Sequence, residues 1–306
     1  MRQATYCHEA RFYDRVEDLA DWATGFVRDG LARDEAVLVA LPATRLAAVR
    51  EALDGDAAAV RFADMETAGR NPGRLVGLWR QFIDGTQGRV ARGIGEPVWH
   101  GRAADELAEC RHHEALLNVA FAPRTPFWLV CPYDTATLDE ATLADAVARH
   151  PVISGRAPAA ERGYDPATVT VALSDPLPAA PAHADEHTFG PRDLSDVRRL
   201  VAACLRAGSI PVRRAHEVVL AVHEVAANSI CHGGGDGVLR LWHEDERVVI
   251  EIQDAGTVGD PLVGRRPPSP TAPGGRGVWL AHQLCDLVQL RSGPGGTTVR
   301  MAVAPL

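Results

Sequence analysis

Six consecutive apolar residues, Ala36-Val37-Leu38-Val39-Ala40-Leu41, stop abruptly at Pro42. The run is far too short to cross a bilayer and shows no polar alternation. A strand of that kind is buried on both faces, which requires helices above and below a parallel sheet. Phe127-Trp128-Leu129-Val130-Cys131, stopped by Pro132, repeats the pattern. A short strand is expected at 60–62. Around these strands, Leu19, Trp22, Ala23 and Phe26 recur at helical spacing and predict a helix over 16–28. Further helices are expected up to Leu53 and over 75–83, 105–118 and 138–149. Strands alternating with helices define a layered α/β domain.

The chain of 306 residues is long enough for two such domains. From 151 to 184 the composition shifts to Pro, Ala, Gly and Asp, with Pro158, Pro166, Pro176, Pro178 and Pro181 as punctuation. The division expected is a first domain at 1–155, a Pro/Ala-rich linker at 156–184 and a second domain at 185–306. Val169-Thr170-Val171 reads as an edge strand within that linker. The net charge of -8 gives no bulk attraction for polyphosphate, so direct nucleic-acid binding is not expected. All 32 basic residues are arginine, which excludes a P-loop lysine, a Schiff-base lysine and a β-lactamase-type lysine. No apolar segment reaches the length of a membrane span, and the first residues lack a signal-peptide core. The six cysteines contain no CxxC pair and read as reduced thiols. A cytoplasmic protein without membrane association is expected.

In the second half a helix runs from 194 to 207 and ends at Gly208. Ser209 is expected to cap the next helix, with Pro211 in its first turn, and that helix continues to His232. Strands follow at 238–242 and 248–252. A Gly/Pro/Arg-rich loop precedes a helix from Gly277 to 287, and a hairpin at 288–291 and 297–303 closes the chain. Val218, Val222, Val225 and Ser229 form one face of the 211–232 helix, and Glu224 and Asn228 are neighbours at i,i+4 on another. A carboxylate beside a carboxamide oxygen suits hydrated Mg²⁺ or proton abstraction from a hydroxyl. It equally describes an ordinary solvated helix face. Asp254 continues the buried face of Val248, Ile250 and Ile252, and needs a donor there, which an adenine amino group could supply. Gly256 and Gly259 follow it. Gly275-Arg276-Gly277 feeds a helix N-terminus, a natural phosphate cradle. Thr297 faces inward with Val299 and Met301.

Taken in order, Glu224-x-x-x-Asn228, Asp254-x-Gly256, Gly275-x-Gly277 and Gly296-Thr297 resemble the nucleotide-binding boxes of the GHKL ATPase superfamily. Gly275-Arg276-Gly277-Val278-Trp279-Leu280-Ala281 and Leu284-Cys285-Asp286 are similar to the anti-sigma-factor serine/threonine kinases within it. The resemblance implies a GHKL (Bergerat-type) α/β sandwich over 185–306 that binds ATP with Mg. It casts Asn228 as the Mg ligand, Asp254 as acceptor from adenine, and Gly275 and Gly277 as the phosphate cradle. Thr297 would close the adenine end, and Glu224 would be the general base toward a serine hydroxyl on a partner. The implied partners are a sigma factor and a STAS-type anti-sigma-factor antagonist, and the implied assembly is a homodimer. A pure binding module without catalysis is the alternative, and an orphan sensor histidine kinase a further one. His223 belongs to the nucleotide helix and reads as packing rather than as a phosphoacceptor. The loop 260–274 carries five prolines and the adjacent Arg265 and Arg266, which could touch phosphates.

In the first half, His8, Gly69-Arg70-Asn71-Pro72, Arg92-Gly93-Ile94-Gly95-Glu96-Pro97, His113-Glu114-Ala115-Leu116-Leu117-Asn118 and Cys131-Pro132-Tyr133-Asp134 resemble the MEDS sensory domain over about 5–152. That resemblance implies a RecA-like parallel α/β fold without a working P-loop and the sensing of a small-molecule signal. His8, Arg92, Glu96, Cys110, His113, Glu114, Cys131 and Tyr133 are the candidate pocket residues, several of them beyond strand ends where such sheets bind ligands. Three readings stay open: hydrogen-bonded core, a pocket for an organic ligand, or a metal or haem site. For a metal, Cys110 and His113 share a helix face and would join His8 or Cys131. Together the halves suggest a regulator in which ligand sensing controls an ATP-binding module.

Overall fold

The computed structural model of the chain describes residues 5–155, 163–268 and 276–305, with the side chains of 170–172 set aside. The chain divides into two compact units between Val169 and Thr170.

The first unit contains β1 (Cys7–Tyr13), α1 (Val16–Leu31), β2 (Ala36–Leu41), α2 (Ala43–Leu53), β3 (Arg61–Asp64), α3 (Met65–Ala68), α4 (Leu75–Asp84), β4 (Ala91–Gly95), α5 (Ala104–Ala120), β5 (Phe127–Asp134), α6 (Glu140–Arg149) and β6 (Val152–Gly155). Its six strands lie in the order β3-β2-β4-β5-β1-β6, every pair parallel. All six residues of β2 are buried, as their uninterrupted apolar run requires. One face of the sheet packs on α1 and α2 through Phe26, Val27, Val49, Leu53, Val37, Val39, Ile94 and Val130. On the other face Trp79 of α4 lies flat against β4. A Cβ at Gly95 would stand 2.5 Å from the Trp79 ring, and one at Gly93 would stand 2.9 Å from it. Only glycine lets the indole approach the strand that closely.

α7 (Thr168–Ser174) straddles the division, and the second unit continues with β7 (Asp185–Phe189), α8 (Leu194–Ala207), α9 (Val212–His232), β8 (Gly237–Glu244), β9 (Arg247–Asp254), α10 (Arg276–Leu284), β10 (Leu287–Gly293) and β11 (Gly296–Val303). Its strands run β10-β11-β9-β8-β7, every pair antiparallel. α8, α9 and α10 cover one face through Val201, Leu205, Val218, Val222, Val225, Ala281, Ile250, Ile252 and Met301. The expected pair of α/β domains is therefore present, one parallel and one antiparallel.

Three local expectations need correction. Residues 169–171 belong to a helix, not to an edge strand. Asp165 accepts from the Ala167 amide, Pro166 follows it, and the Thr168 hydroxyl donates to the Asp165 carbonyl, a combination that starts helices. Ser209 does not cap α9: it sits at φ +58°, and Pro211 is the capping residue. The Pro/Ala-rich stretch is more than a tether. Ala180 and Ala184 pack on Trp242, Val249, Leu287 and Ala302 of the second sheet's outer face, and Arg300 donates to the Pro178 carbonyl at 2.7 Å. Among the described residues no helix is long and apolar enough to cross a membrane.

Candidate functional site

Four elements of the second unit converge at one end of its sheet. α9 buries Val218, Val222, Val225 and Ser229 against the strands, which leaves Glu224 and Asn228 half-buried along its flank. Near the C-terminal end of α9, the Ser229 hydroxyl donates to Asp254 Oδ2 at 2.6 Å. The Gly256 amide donates to Asp254 Oδ1 at 2.9 Å, and the Ala255 amide bonds to the Gly233 carbonyl. A Cβ at Gly256 would meet the His232 carbonyl at 2.7 Å, so the turn after β9 fits against α9 only as glycine. Thr297 stands opposite Asp254 in the ladder between β11 and β9. Its hydroxyl donates to the Gly256 carbonyl at 2.8 Å and contacts Ser292 Oγ at 3.0 Å. At the start of α10, a Cβ on Gly277 would lie 2.7 Å from Asn228 Nδ2 and 3.1 Å from Glu224 Cβ. Glu224, Asn228, Asp254, Gly256, Gly277 and Thr297 thus share one locus.

The remaining expected nucleotide residues are less constrained. Arg276 opens α10 and is exposed. Gly259 is exposed, and a Cβ there would meet nothing. Gly275 lies outside the described residues. Arg265 is buried and Arg266 exposed.

In the first unit the eight expected pocket residues do not form one pocket. Arg92 is on the α1 side of the sheet. It donates to Glu35, to Asp29 Oδ2 at 2.8 Å and to the Phe26 carbonyl at 3.0 Å, and its guanidinium stacks on Phe26 and Trp128. That arrangement makes it a clamp on α1. Glu96, just beyond β4, joins a second group at the carboxyl end of the strands. Tyr13 donates to its Oε1 at 2.7 Å, and Arg45 lies 3.5 Å from the same oxygen while donating to Asp134 at 2.9 Å. Burial pushes the Glu96 carboxyl up to about 8, against the opposing pull of Arg45 and Tyr13.

The third group lies on the α5 and α6 side. His8 Nε2 is 3.0 Å from Glu114 Oε2 and 3.6 Å from Cys131 Sγ. His150 Nε2 reaches the same Glu114 oxygen at 3.2 Å. All four residues are buried, with Tyr133 against His150 and Tyr6 stacked on His8. Burial and the neighbouring His150 lower the His8 pKa, against the raising pull of Glu114. Cys110 takes no part in this group. Its thiol donates to the Pro97 carbonyl, and burial pushes it up to about 12. His113, the other expected metal ligand, is also buried but outside the group. His150 escaped the sequence reading because it follows α6 as a lone residue in no motif. Its signal was the Cys131-Pro132 strand end, which needed a third element to face it.

A helical layer on an antiparallel sheet, with a carboxylate, an amide and two glycine turns gathered at one end, defines an ATPase-type nucleotide fold. The first unit is a parallel α/β unit with buried polar clusters. Residues 188–303 match the family model of the histidine kinase-like ATPase domain, and residues 7–151 match that of MEDS, the MEthanogen/methylotroph, DcmR Sensory domain. The chain therefore joins a MEDS sensory domain to a GHKL-like ATPase domain. No curated protein matches it. Among solved structures, the RsbU and RsbW domains of Rv1364c from Mycobacterium tuberculosis are 19% identical, with a TM-score of 0.30, over 41% of this chain. The match spans 33% of that chain.

Proposed function

We propose that the protein is a cytoplasmic one-component regulator. The state of the sensory domain controls an ATP-binding module that binds a sigma factor and phosphorylates a serine of a STAS-type anti-sigma-factor antagonist. The observation that carries the nucleotide reading is the meeting of α9, β9, α10 and β11 around Glu224, Asn228, Asp254, Gly256, Gly277 and Thr297. The donor set fits Mg·ATP. Asn228 offers a half-buried oxygen to a hard cation, with the Glu224 carboxylate beside it on the same helix flank. Each Asp254 oxygen accepts one protein hydrogen bond and keeps a lone pair for the adenine amino group. The missing Cβ of Gly277 lets the start of α10 close on Asn228 and Glu224.

In this reading Asn228 holds the cation, and Asp254 orients the base. Thr297 fixes the turn at Gly256, and Arg276 with Gly275 and Gly277 receives phosphate oxygens at the start of α10. The cation supplies charge neutralisation on the transferred phosphoryl group. Glu224 takes the proton of the attacking serine hydroxyl.

Equilibrium Mg·ATP binding to the full chain tests the nucleotide site. Asn228→Ala is expected to weaken binding at least tenfold. Absence of binding at millimolar ATP, in protein shown to be folded, overturns the reading. Glu224→Ala is expected to abolish phosphoserine formation while ATP binding persists. Wild-type protein that binds ATP and partner without any transfer is the sequestering module instead.

A further inference from the structure

The four buried side chains His8, Glu114, Cys131 and His150 offer ligand atoms that all lie within 4.8 Å of one another. They come from β1, α5, β5 and the residue after α6, so the fold assembles them and no local motif does. The hydrogen bonds on their far sides decide what they can do. His150 Nδ1 is 2.7 Å from the Ala146 carbonyl, which can only accept, so that nitrogen carries the proton. The Asn118 amide nitrogen donates to the Arg149 carbonyl at 2.8 Å, which turns its Oδ1 toward His8 Nδ1 at 3.0 Å. That nitrogen is a donor too. In the neutral imidazoles both Nε2 lone pairs then converge on Glu114 Oε2, itself rich in lone pairs. His150 Nε2 has no hydrogen-bond partner despite its 3.2 Å approach, and Glu114 Oε1 has none either. The Cys131 thiol, 3.6 Å from His8 Nε2, can answer one of these lone pairs, and a bound cation would answer the rest.

We propose that His8, Glu114, Cys131 and His150 bind a divalent transition-metal cation of the zinc type. Ligands at about 2.0–2.3 Å from a tetrahedral zinc stand about 3.3–3.8 Å from one another. Three of the separations, 3.0, 3.2 and 3.6 Å, are close to that cage, and the remaining ones, all within 4.8 Å, would contract on binding. Two imidazoles, a carboxylate and a thiolate suit zinc in donor type. The charge also closes, because the carboxylate and thiolate neutralise the dication inside a buried site. Binding releases the Cys131 thiol proton to solvent and involves no redox change. Asn118 and the Ala146 carbonyl orient the imidazoles from behind, as outer partners of metal-bound histidines do. A cavity of about 10 Å³ lined by Glu114, Tyr133, Arg111, Ala146 and Arg149 adjoins the cluster. It is about the size of one water molecule, which suits a cation and its access better than an organic ligand.

The test is metal binding by the full-length protein. Zinc titration against a chromogenic chelator is expected to give one tight equivalent per chain. Cobalt in its place is expected to give a tetrahedral visible spectrum with a thiolate charge-transfer band. Cys131→Ser is expected to abolish that band, and His150→Gln to weaken binding at least tenfold. Cys110→Ser, outside the cluster, is expected to change neither. A wild-type protein that takes up no stoichiometric zinc, or whose cobalt form lacks the thiolate band, overturns the proposal. The four residues are then a hydrogen-bonded polar cluster around Glu114 in the core. The wild-type measurements decide the matter even where a variant fails to fold.

Discussion

Glu96 shows how one residue converts burial into a pH dependence. It is fully buried, its neighbours are Tyr13, Arg45 and Asp134, and its carboxyl is pushed from 4.5 to about 8. The native state therefore keeps a proton that the unfolded chain has released. Between those two values the folded form binds more protons, so stability falls as pH rises through the window. The stabilisation is complete below the lower value and gone above the upper one. Denaturant titrations of the full chain from about pH 5 to pH 8 are expected to show the transition of the first unit weakening steadily. Glu96→Gln keeps an oxygen for the Tyr13 hydroxyl and cannot ionise, so its transition is expected to stay flat over the same range. An unaltered slope in that variant assigns the dependence to another group. The same neutral carboxyl would offer a hydrogen-bond donor to a polar ligand at the strand ends, which makes Glu96 a continuing candidate for the sensed signal.

At the scale of elements, α10 meets α9 through a glycine. A Cβ at Gly277 would press on Asn228 Nδ2 and also stand 3.2 Å from the Glu224 backbone, which cannot swing aside. Gly277→Ala is expected to cost about 1–3 kcal/mol as overpacking, read by urea denaturation, and to weaken Mg·ATP binding as α10 shifts. Gly259→Ala is the matched control, exposed and with open space around it. It is expected to stay within about 0.5 kcal/mol of wild type. Equal losses in both variants would mean that the close packing of α10 on α9 does not occur.

Elements also separate what could be read in the chain from what could not. β2 and β5 were legible because their apolar runs face helices on both sides. β1 reads Cys-His-Glu-Ala-Arg-Phe-Tyr, without the apolar run that marks β2 and β5. It is nevertheless an inner strand, because Glu9 accepts from Trp128 and Ser154, Arg11 stacks on Trp22, and His8 faces Glu114. Its polar residues find partners only in the folded sheet. β4, Ala-Arg-Gly-Ile-Gly, has too little β propensity to announce itself, and exists because Trp79 fills the space over its glycines. The convergence of Glu224, Asn228, Asp254, Gly256, Gly277 and Thr297 was legible because these residues fall into short motifs in fixed order. Of the four-residue cluster, His8, Glu114 and Cys131 were among the candidate pocket residues, whereas His150 became visible only when α6 brought it to the others.

For the whole molecule, regulation demands more than two sites on one chain. A signal in the sensory domain acts on the ATPase domain only if the two states of one have different affinities for the ligand of the other. Linkage then makes the effect reciprocal: if zinc changes the Kd for Mg·ATP by a given factor, Mg·ATP changes the Kd for zinc by the same factor. For coupling in the usual range that factor is about 5–150. The proposed regulator is expected to show it in both directions by titration calorimetry, and Cys131→Ser is expected to erase it while leaving the ATP affinity of the zinc-free protein in place. Equal ATP affinities with and without zinc would show that cation occupancy is not transmitted through nucleotide binding. The cation would then hold the sensory fold together, and the signal would have to enter elsewhere, with the Glu96 group at the strand ends as the place to look.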